Sequence, residues 1–125
     1  MESLDNIQEA FLTIGTEKFT EVVDFYRQFL GQDPNPYNPT KYAEFRIQGF
    51  RLAIFYPKSD HKAEFSQVGG SAFSLCLAVK DLDSAIAHLQ NLGYSPTTEI
   101  QTSSHGREIY VYDPAHNRLI LYQPD

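Results

Sequence analysis

Hydrophobic residues recur along this chain with two different periods, and the order in which those periods alternate is its strongest signal. Phe19, Val22, Val23, Tyr26, Phe29 and Leu30 are spaced three and four apart, which lays one apolar stripe along a helix. A helix is predicted from near Phe19 to a stop at Gly31. Thr16 is a candidate cap for its start, whereas Lys18 has no side-chain acceptor. Leu82, Ala85, Ile86, Leu89 and Leu92 repeat the stripe between Asp81, a good N-cap, and Gly93.

Between the helical stretches the period falls to two. Phe73, Leu75, Leu77 and Val79 alternate with Ser74, Cys76 and Ala78, which predicts a strand over 71–79. Residues 10–14, 42–47, 51–56, 109–112 and 119–122 are likewise rich in β-branched and aromatic residues. Gly49 lies in the short turn between 42–47 and 51–56, which predicts a hairpin. Residues 32–40 carry Pro34, Pro36 and Pro39 and are expected to be loop. Asp113-Pro114 opens a turn between the last two strands, in which Asn117 is expected to take the left-handed conformation.

The pattern occurs twice. Strand, helix ending in Gly, loop and hairpin come before a polar stretch, 58–70, and again after it. Phe50-Arg51-Leu52-Ala53-Ile54-Phe55-Tyr56-Pro57 lines up with Asn117-Arg118-Leu119-Ile120-Leu121-Tyr122-Gln123-Pro124, an internal repeat with a period of roughly 60–65 residues. The expected organisation is one domain over 1–125: module one at about 7–57, a linker at 58–70 and module two at about 71–124.

Composition narrows the function classes. Ten basic residues against sixteen acidic ones give a formal charge of −6, which argues against nucleic-acid or anionic-membrane partners. No apolar run approaches the ~18 residues of a membrane helix and no leader is recognisable, so a cytoplasmic location is expected. The single cysteine, Cys76, makes neither an internal disulfide nor a cluster. Eight Tyr and nine Phe mostly mean core, yet eight tyrosines leave some phenols that require a wet or polar setting.

Three local patterns together resemble a known family. They are Phe25-Tyr26 followed by Leu30-Gly31, Val79-Lys80-Asp81-Leu82 at the second helix entry, and Gly106-Arg107 leading to Asp113-Pro114. The last resembles the end of a vicinal oxygen chelate module, the superfamily of glyoxalases, bleomycin-resistance proteins and extradiol dioxygenases. The family form runs Asp-Pro-Asp-Gly-Asn, an apolar pair, a metal-ligating glutamate and a leucine. Here His116 stands at the glycine and Ile120 at the glutamate. The resemblance implies an α+β fold of two tandem βαβββ modules, a curved mixed sheet around a cavity with helices on the convex face.

Strand alternation then assigns faces. Phe73, Leu75, Leu77 and Val79 are expected to meet the second helix, leaving Ser74, Cys76 and Ala78 toward the cavity. Arg118, Ile120 and Tyr122 join them, with Glu108, Tyr110 and Tyr112 from the preceding strand. By the repeat, Arg51, Ala53 and Phe55 face the cavity from module one, with Phe11 and Thr13 from the first strand. The expected ligand-binding set is therefore Phe11, Thr13, Arg51, Phe55, Ser74, Cys76, Glu108, Tyr110, Tyr112, Arg118, Ile120 and Tyr122.

The resemblance puts the metal-ligand positions at Phe11, Ala53, Ser74 and Ile120. Three of these have no donor atom and a lone serine hydroxyl is a poor ligand, so no metal and no other cofactor is expected. His105, Glu108 and His116 follow no known ligand spacing, and Cys76 has no His or Lys beside it to activate its thiol. No catalytic residue is predicted. The function expected is binding or sequestering a small, partly aromatic molecule. A metal-dependent enzyme of the glyoxalase or dioxygenase type, and a protein-contact module with a filled cavity, are the alternatives. Arg51 and Arg118 are candidates to hold a carboxylate or phosphate in a forked contact. A homodimer is the expected assembly, because each module leaves open sheet edges.

Overall fold

The structure, a computed structural model, describes residues 6–66 and 71–125. In chain order its elements are β1 (Leu12–Gly15), α1 (Phe19–Leu30), β2 (Tyr37–Asn38), β3 (Tyr42–Ile47), β4 (Phe50–Phe55), a 3-10 turn (Lys62–Phe65), β5 (Leu75–Ala78), α2 (Leu82–Asn91), β6 (Gln101–Ser103), β7 (Gly106–Tyr112) and β8 (Arg118–Pro124). One sheet has the order β1-β4-β3-β2 and the other β5-β8-β7-β6. In each, the first strand pairs parallel with the last and the remaining pairs are antiparallel. The protein is thus an α+β fold of two βαβββ modules, each with a mixed four-stranded sheet.

The repeat holds at the level of register. Leu12 stands opposite Leu52 and Thr13 opposite Ala53; Leu75 stands opposite Leu119 and Cys76 opposite Ile120. The parallel crossover puts each helix back on its own sheet, and the buried residues of α1, β3, β4, α2, β7 and β8 merge into a single core. The helices of the two modules also meet. The Phe25 ring packs edge-on against Tyr94, with centroids 4.8 Å apart, and His88 Nε2 lies 3.1 Å from the Gln28 carbonyl oxygen.

Helix ends follow local chemistry. Asp81 caps α2, accepting from Ser84 N at 3.1 Å and from the Ser84 hydroxyl at 2.9 Å. Lys18 sits at the N-cap of α1 without a side-chain bond, and Thr16 Oγ1 instead accepts from Lys18 N. Gly31, at φ 65°, closes α1 by donating to the Arg27 carbonyl.

Three expectations are corrected. Phe73 does not meet α2: it is 84% exposed, because β5 begins only at Leu75 and no ladder pair holds the preceding residues. The left-handed residue of the β7–β8 turn is His116, not Asn117. The Asp113 carboxylate accepts from Asn117 N and Asn117 Nδ2 and from Ala115 N, which fixes Asn117 and leaves its neighbour to reverse the chain. The proline-rich loop contains β2, paired to β3. The polar linker contains the 3-10 turn, while its residues 67–70 lie outside the described residues.

Candidate functional site

Each sheet turns one face to the helices and the other away from them. In module one the outer row is Thr13, Ala53 and Glu44 in register, flanked by Arg51 opposite Arg46 and Phe55 opposite Tyr42. Ala43, Phe45, Leu52 and Ile54 take the core side. Although they face away from the helix, two members of this row are covered, Ala53 at 0% and Glu44 at 7% exposure, while Thr13 at its edge is exposed. Phe65, carried by the 3-10 turn, packs edge-on against Phe55 with centroids 5.1 Å apart. Both rings crowd Gly15, where a Cβ would stand 2.7 Å from each.

A charged cluster fills the rest of that face. Glu44 accepts from the Tyr42 hydroxyl at 2.8 Å and from Arg46 Nη2 at 3.1 Å. Burial, then the hydrogen bond to Glu44, pushes the Tyr42 phenol above the usual tyrosine value. Arg51 donates to Glu9 Oε1 at 2.8 Å and lies over the Phe11 ring at 3.6 Å. That Glu9 bond is the main cause of the rise in the Arg51 pKa.

The corresponding face of module two is more open. Ile109, Val111, Leu119 and Leu121 are buried, whereas Tyr110 and Tyr112 are each 39% exposed and Cys76 is exposed. Its rows are Cys76, Ile120 and Tyr110, then Ala78, Tyr122 and Glu108. The Tyr122 hydroxyl donates to the His105 carbonyl at 2.9 Å.

The modules meet along a seam between β1 and β5, with a cleft toward each end. Leu12, Ser74 and Leu75 line both clefts. One, of about 820 Å³, is aliphatic and aromatic, with Phe29, Leu30, Ile47, Phe50 and Leu77 in its walls. The other, of about 360 Å³, is walled by Phe65, Phe73 and Tyr26 and carries Glu64, Arg118 and Asn117. In this second cleft Arg118 Nη1 donates to Ser74 Oγ and Nη2 to the Ser71 carbonyl, both at 3.0 Å. Among the described residues no carboxylate lies within ion-pair reach of Arg118.

The expected site residues are thus divided. Thr13, Ser74 and Arg118 share the smaller cleft, and Ser74 and Cys76 line the larger. Phe11 and Arg51 stack on each other outside both, and Phe55 is packed against Phe65. Glu108, Tyr110, Ile120 and Tyr122 stay on the module-two face, while Tyr112 lines a further cleft with His116. Sequence reasoning missed Tyr42, Glu44 and Arg46, although their alternation with Ala43, Phe45 and Ile47 has the strand period. It also missed Phe65, whose only signal is an aromatic ring in a polar stretch.

The donor set does not fit a divalent metal. Phe11, Ala53 and Ile120 offer no ligand atom, and the Ser74 hydroxyl is engaged by Arg118. Glu44 is opposite Ala53 but is held by Tyr42 and Arg46. Among the described residues no group of three or more His, Cys, Asp or Glu is placed to hold an ion.

Comparison with known proteins agrees with the topology. The family model described as the glyoxalase/bleomycin resistance protein/dioxygenase superfamily matches residues 10–121. The chain belongs to this superfamily. Among solved structures, a glyoxalase-related enzyme from Fulvimarina pelagi is 21% identical with a TM-score of 0.75, over 94% of this chain and 88% of the other. A lactoylglutathione lyase from Agrobacterium tumefaciens is 17% identical with a TM-score of 0.70, over 94% of each chain. The fosfomycin resistance protein FosX from Listeria monocytogenes is 16% identical with a TM-score of 0.72, over 95% and 94%. Such likeness establishes a shared fold. No curated protein sequence matches. Among the described residues no helix of this superfamily member is long and apolar enough to cross a membrane.

Proposed function

We propose that this chain binds and sequesters a small, partly aromatic organic acid in the Arg118 cleft, without a catalytic metal. The observation that carries this reading is the state of Arg118: a guanidinium held by two neutral acceptors, beside aromatic walls. Ser74 and Ser71 fix its direction without neutralising it, so an incoming carboxylate supplies the missing charge and accepts forked hydrogen bonds. Phe65 and Phe73, both exposed, offer ring faces and edges to the remainder of the ligand.

Calorimetry with benzoate and benzamide tests the reading. The acid is expected to bind more tightly than the amide, and Arg118→Met should abolish the preference while leaving the circular dichroism spectrum unchanged. Equal affinity for acid and amide in the unmodified protein overturns it. Elemental analysis after dialysis is expected to find no stoichiometric metal; about one Zn, Ni, Mn or Fe per chain would restore the metal-dependent enzyme.

A second reading, a protein-contact module with a filled cavity, is favoured by module one, whose face is occupied by Phe55, Phe65 and the Glu44 cluster. It predicts no binding of either probe.

A further inference from the structure

Arg51 and Arg118 occupy equivalent places in the two modules, yet their surroundings differ in one decisive respect. Arg118 is held by neutral acceptors, whereas Arg51 is occupied by a carboxylate of its own chain. That carboxylate comes from Glu9, in the segment that precedes β1 and lies outside any strand. Ile7 and Phe11 in the same segment are exposed, so it crosses the surface as a strap. Two contacts of this strap converge on Arg51: the Glu9 ion pair at 2.8 Å and the Phe11 ring on the guanidinium face at 3.6 Å.

The charges around Arg51 balance only because Glu9 is present. Glu44 lies in hydrogen-bond contact with Arg46 and 3.9 Å from Arg51 Nε, too far to accept from it. Arg46 and Arg51 together face Glu44 and Glu9, two cations against two anions. Without Glu9 one positive charge is left over. Glu9 also satisfies the guanidinium incompletely: it accepts from Nη2 alone, while the Nε hydrogen is buried with no partner. A planar carboxylate approaching side-on takes both Nε and Nη2, which a single Glu9 oxygen does not.

We propose that Arg51 is a second anion-binding position, one for a planar carboxylate, and that Glu9 is the internal carboxylate that occupies it until an external one displaces its side chain. The proposal rests on the reading that this chain takes organic acids, but not on the Arg118 cleft. The Glu9 side chain is 65% exposed, and ion pairs in that setting are weak and readily exchanged. Phe11 remains over the guanidinium and provides one wall for an aromatic acid. Glu9 thus acts as a tethered competitor that sets the threshold concentration at which the position fills.

The test is a benzoate titration followed by nitrogen-15 NMR at the arginine Nε–H resonances, which report Arg51 and Arg118 separately. In the Glu9→Gln protein, the Arg51 resonance is expected to shift saturably, with a dissociation constant about tenfold below that of the unmodified chain, because the tethered competitor is gone. Benzamide should leave it in place. An Arg51 resonance that does not respond in Glu9→Gln, or that titrates alike with and without Glu9, overturns the proposal. So does an equal response to benzamide. Loss of response at Arg118 alone counts against the cleft and leaves the Arg51 result readable.

Discussion

The hydroxyl of Tyr26 donates to Asp113 Oδ2 at 2.8 Å, joining α1 of the first module to the β7–β8 turn of the second. Both residues are buried, and Asp113 keeps its other bonds to Ala115 and Asn117 when the phenol is removed. Tyr26→Phe is therefore expected to cost about 1–2 kcal/mol, the range for a hydrogen bond to a charged group with partial compensation. Urea denaturation at pH 7 measures it. The same bond has an alkaline signature. Burial, and then the Asp113 charge, hold the Tyr26 phenol well above the usual 10.0. Below pH 10.0 the phenol is protonated in both folded and unfolded chains, and its contribution is complete. Above that value the unfolded chain ionises first, so stability falls as pH rises. Tyr26→Phe should flatten that decline, and an unchanged alkaline slope would refute the assignment.

Gly15 is required by its neighbours rather than by its backbone. A methyl there would meet Phe55 Cζ and Phe65 Cδ1, both at 2.7 Å. Gly15→Ala is expected to destabilise the protein by about 1–3 kcal/mol through overpacking. Phe65 is the more exposed ring and should be expelled, which makes the 3-10 turn a faster target for limited proteolysis. Adding Phe65→Ala should recover much of the lost stability. No recovery would mean that Phe55 takes the strain.

Asp81 gives an acid-side test. Backbone and side-chain hydrogen bonds from Ser84 hold its carboxyl below the usual 3.8. Its contribution is therefore present above pH 3.8 and is lost as pH falls through the lowered folded value. Asp81→Ala should lower the melting temperature at pH 7, and the deficit should shrink in acid. A deficit independent of pH would argue that the loss is not one of charge-assisted capping.

The larger seam cleft, with Phe29, Leu30, Ile47 and Phe50 beside the open edge of β5, is apolar surface next to unpaired strand groups. Such edges are normally covered. We expect a homodimer in solution, seen in sedimentation as twice the 14.3 kDa chain mass. A single 14.3 kDa species at micromolar concentration would contradict this.

The long elements were legible in the sequence because their periods are sustained. α1 carries three turns of apolar stripe, and β3, β4, β7 and β8 alternate over six or seven residues. β2 and β6, at two and three residues, are too short to have a period. The overreach at Phe73 has the same origin, since alternation continues past the point where pairing stops. At the site, the repeat identified Arg51 and Arg118 as equivalent but gave no sign that they differ. Their difference comes from Glu9 and Glu44 on one side and from Ser71 and Ser74 on the other, groups brought in by tertiary folding. Phe65 was invisible for a related reason: it has no counterpart in the other module.

That lone ring also bears on how a guest would lie. A seam built from two copies of one unit would be close to two-fold symmetric, and an elongated molecule could then enter head-first or tail-first at equal cost. Here Phe65, Asn117 and Arg118 mark one end, whereas Phe50, the repeat partner of Asn117, marks the other among aliphatic neighbours. The repeat therefore does not give the two ends of the seam the same lining. If the proposed binding holds, a molecule with a charged head and an oily tail would find the two clefts unequal and would have a single preferred direction of entry.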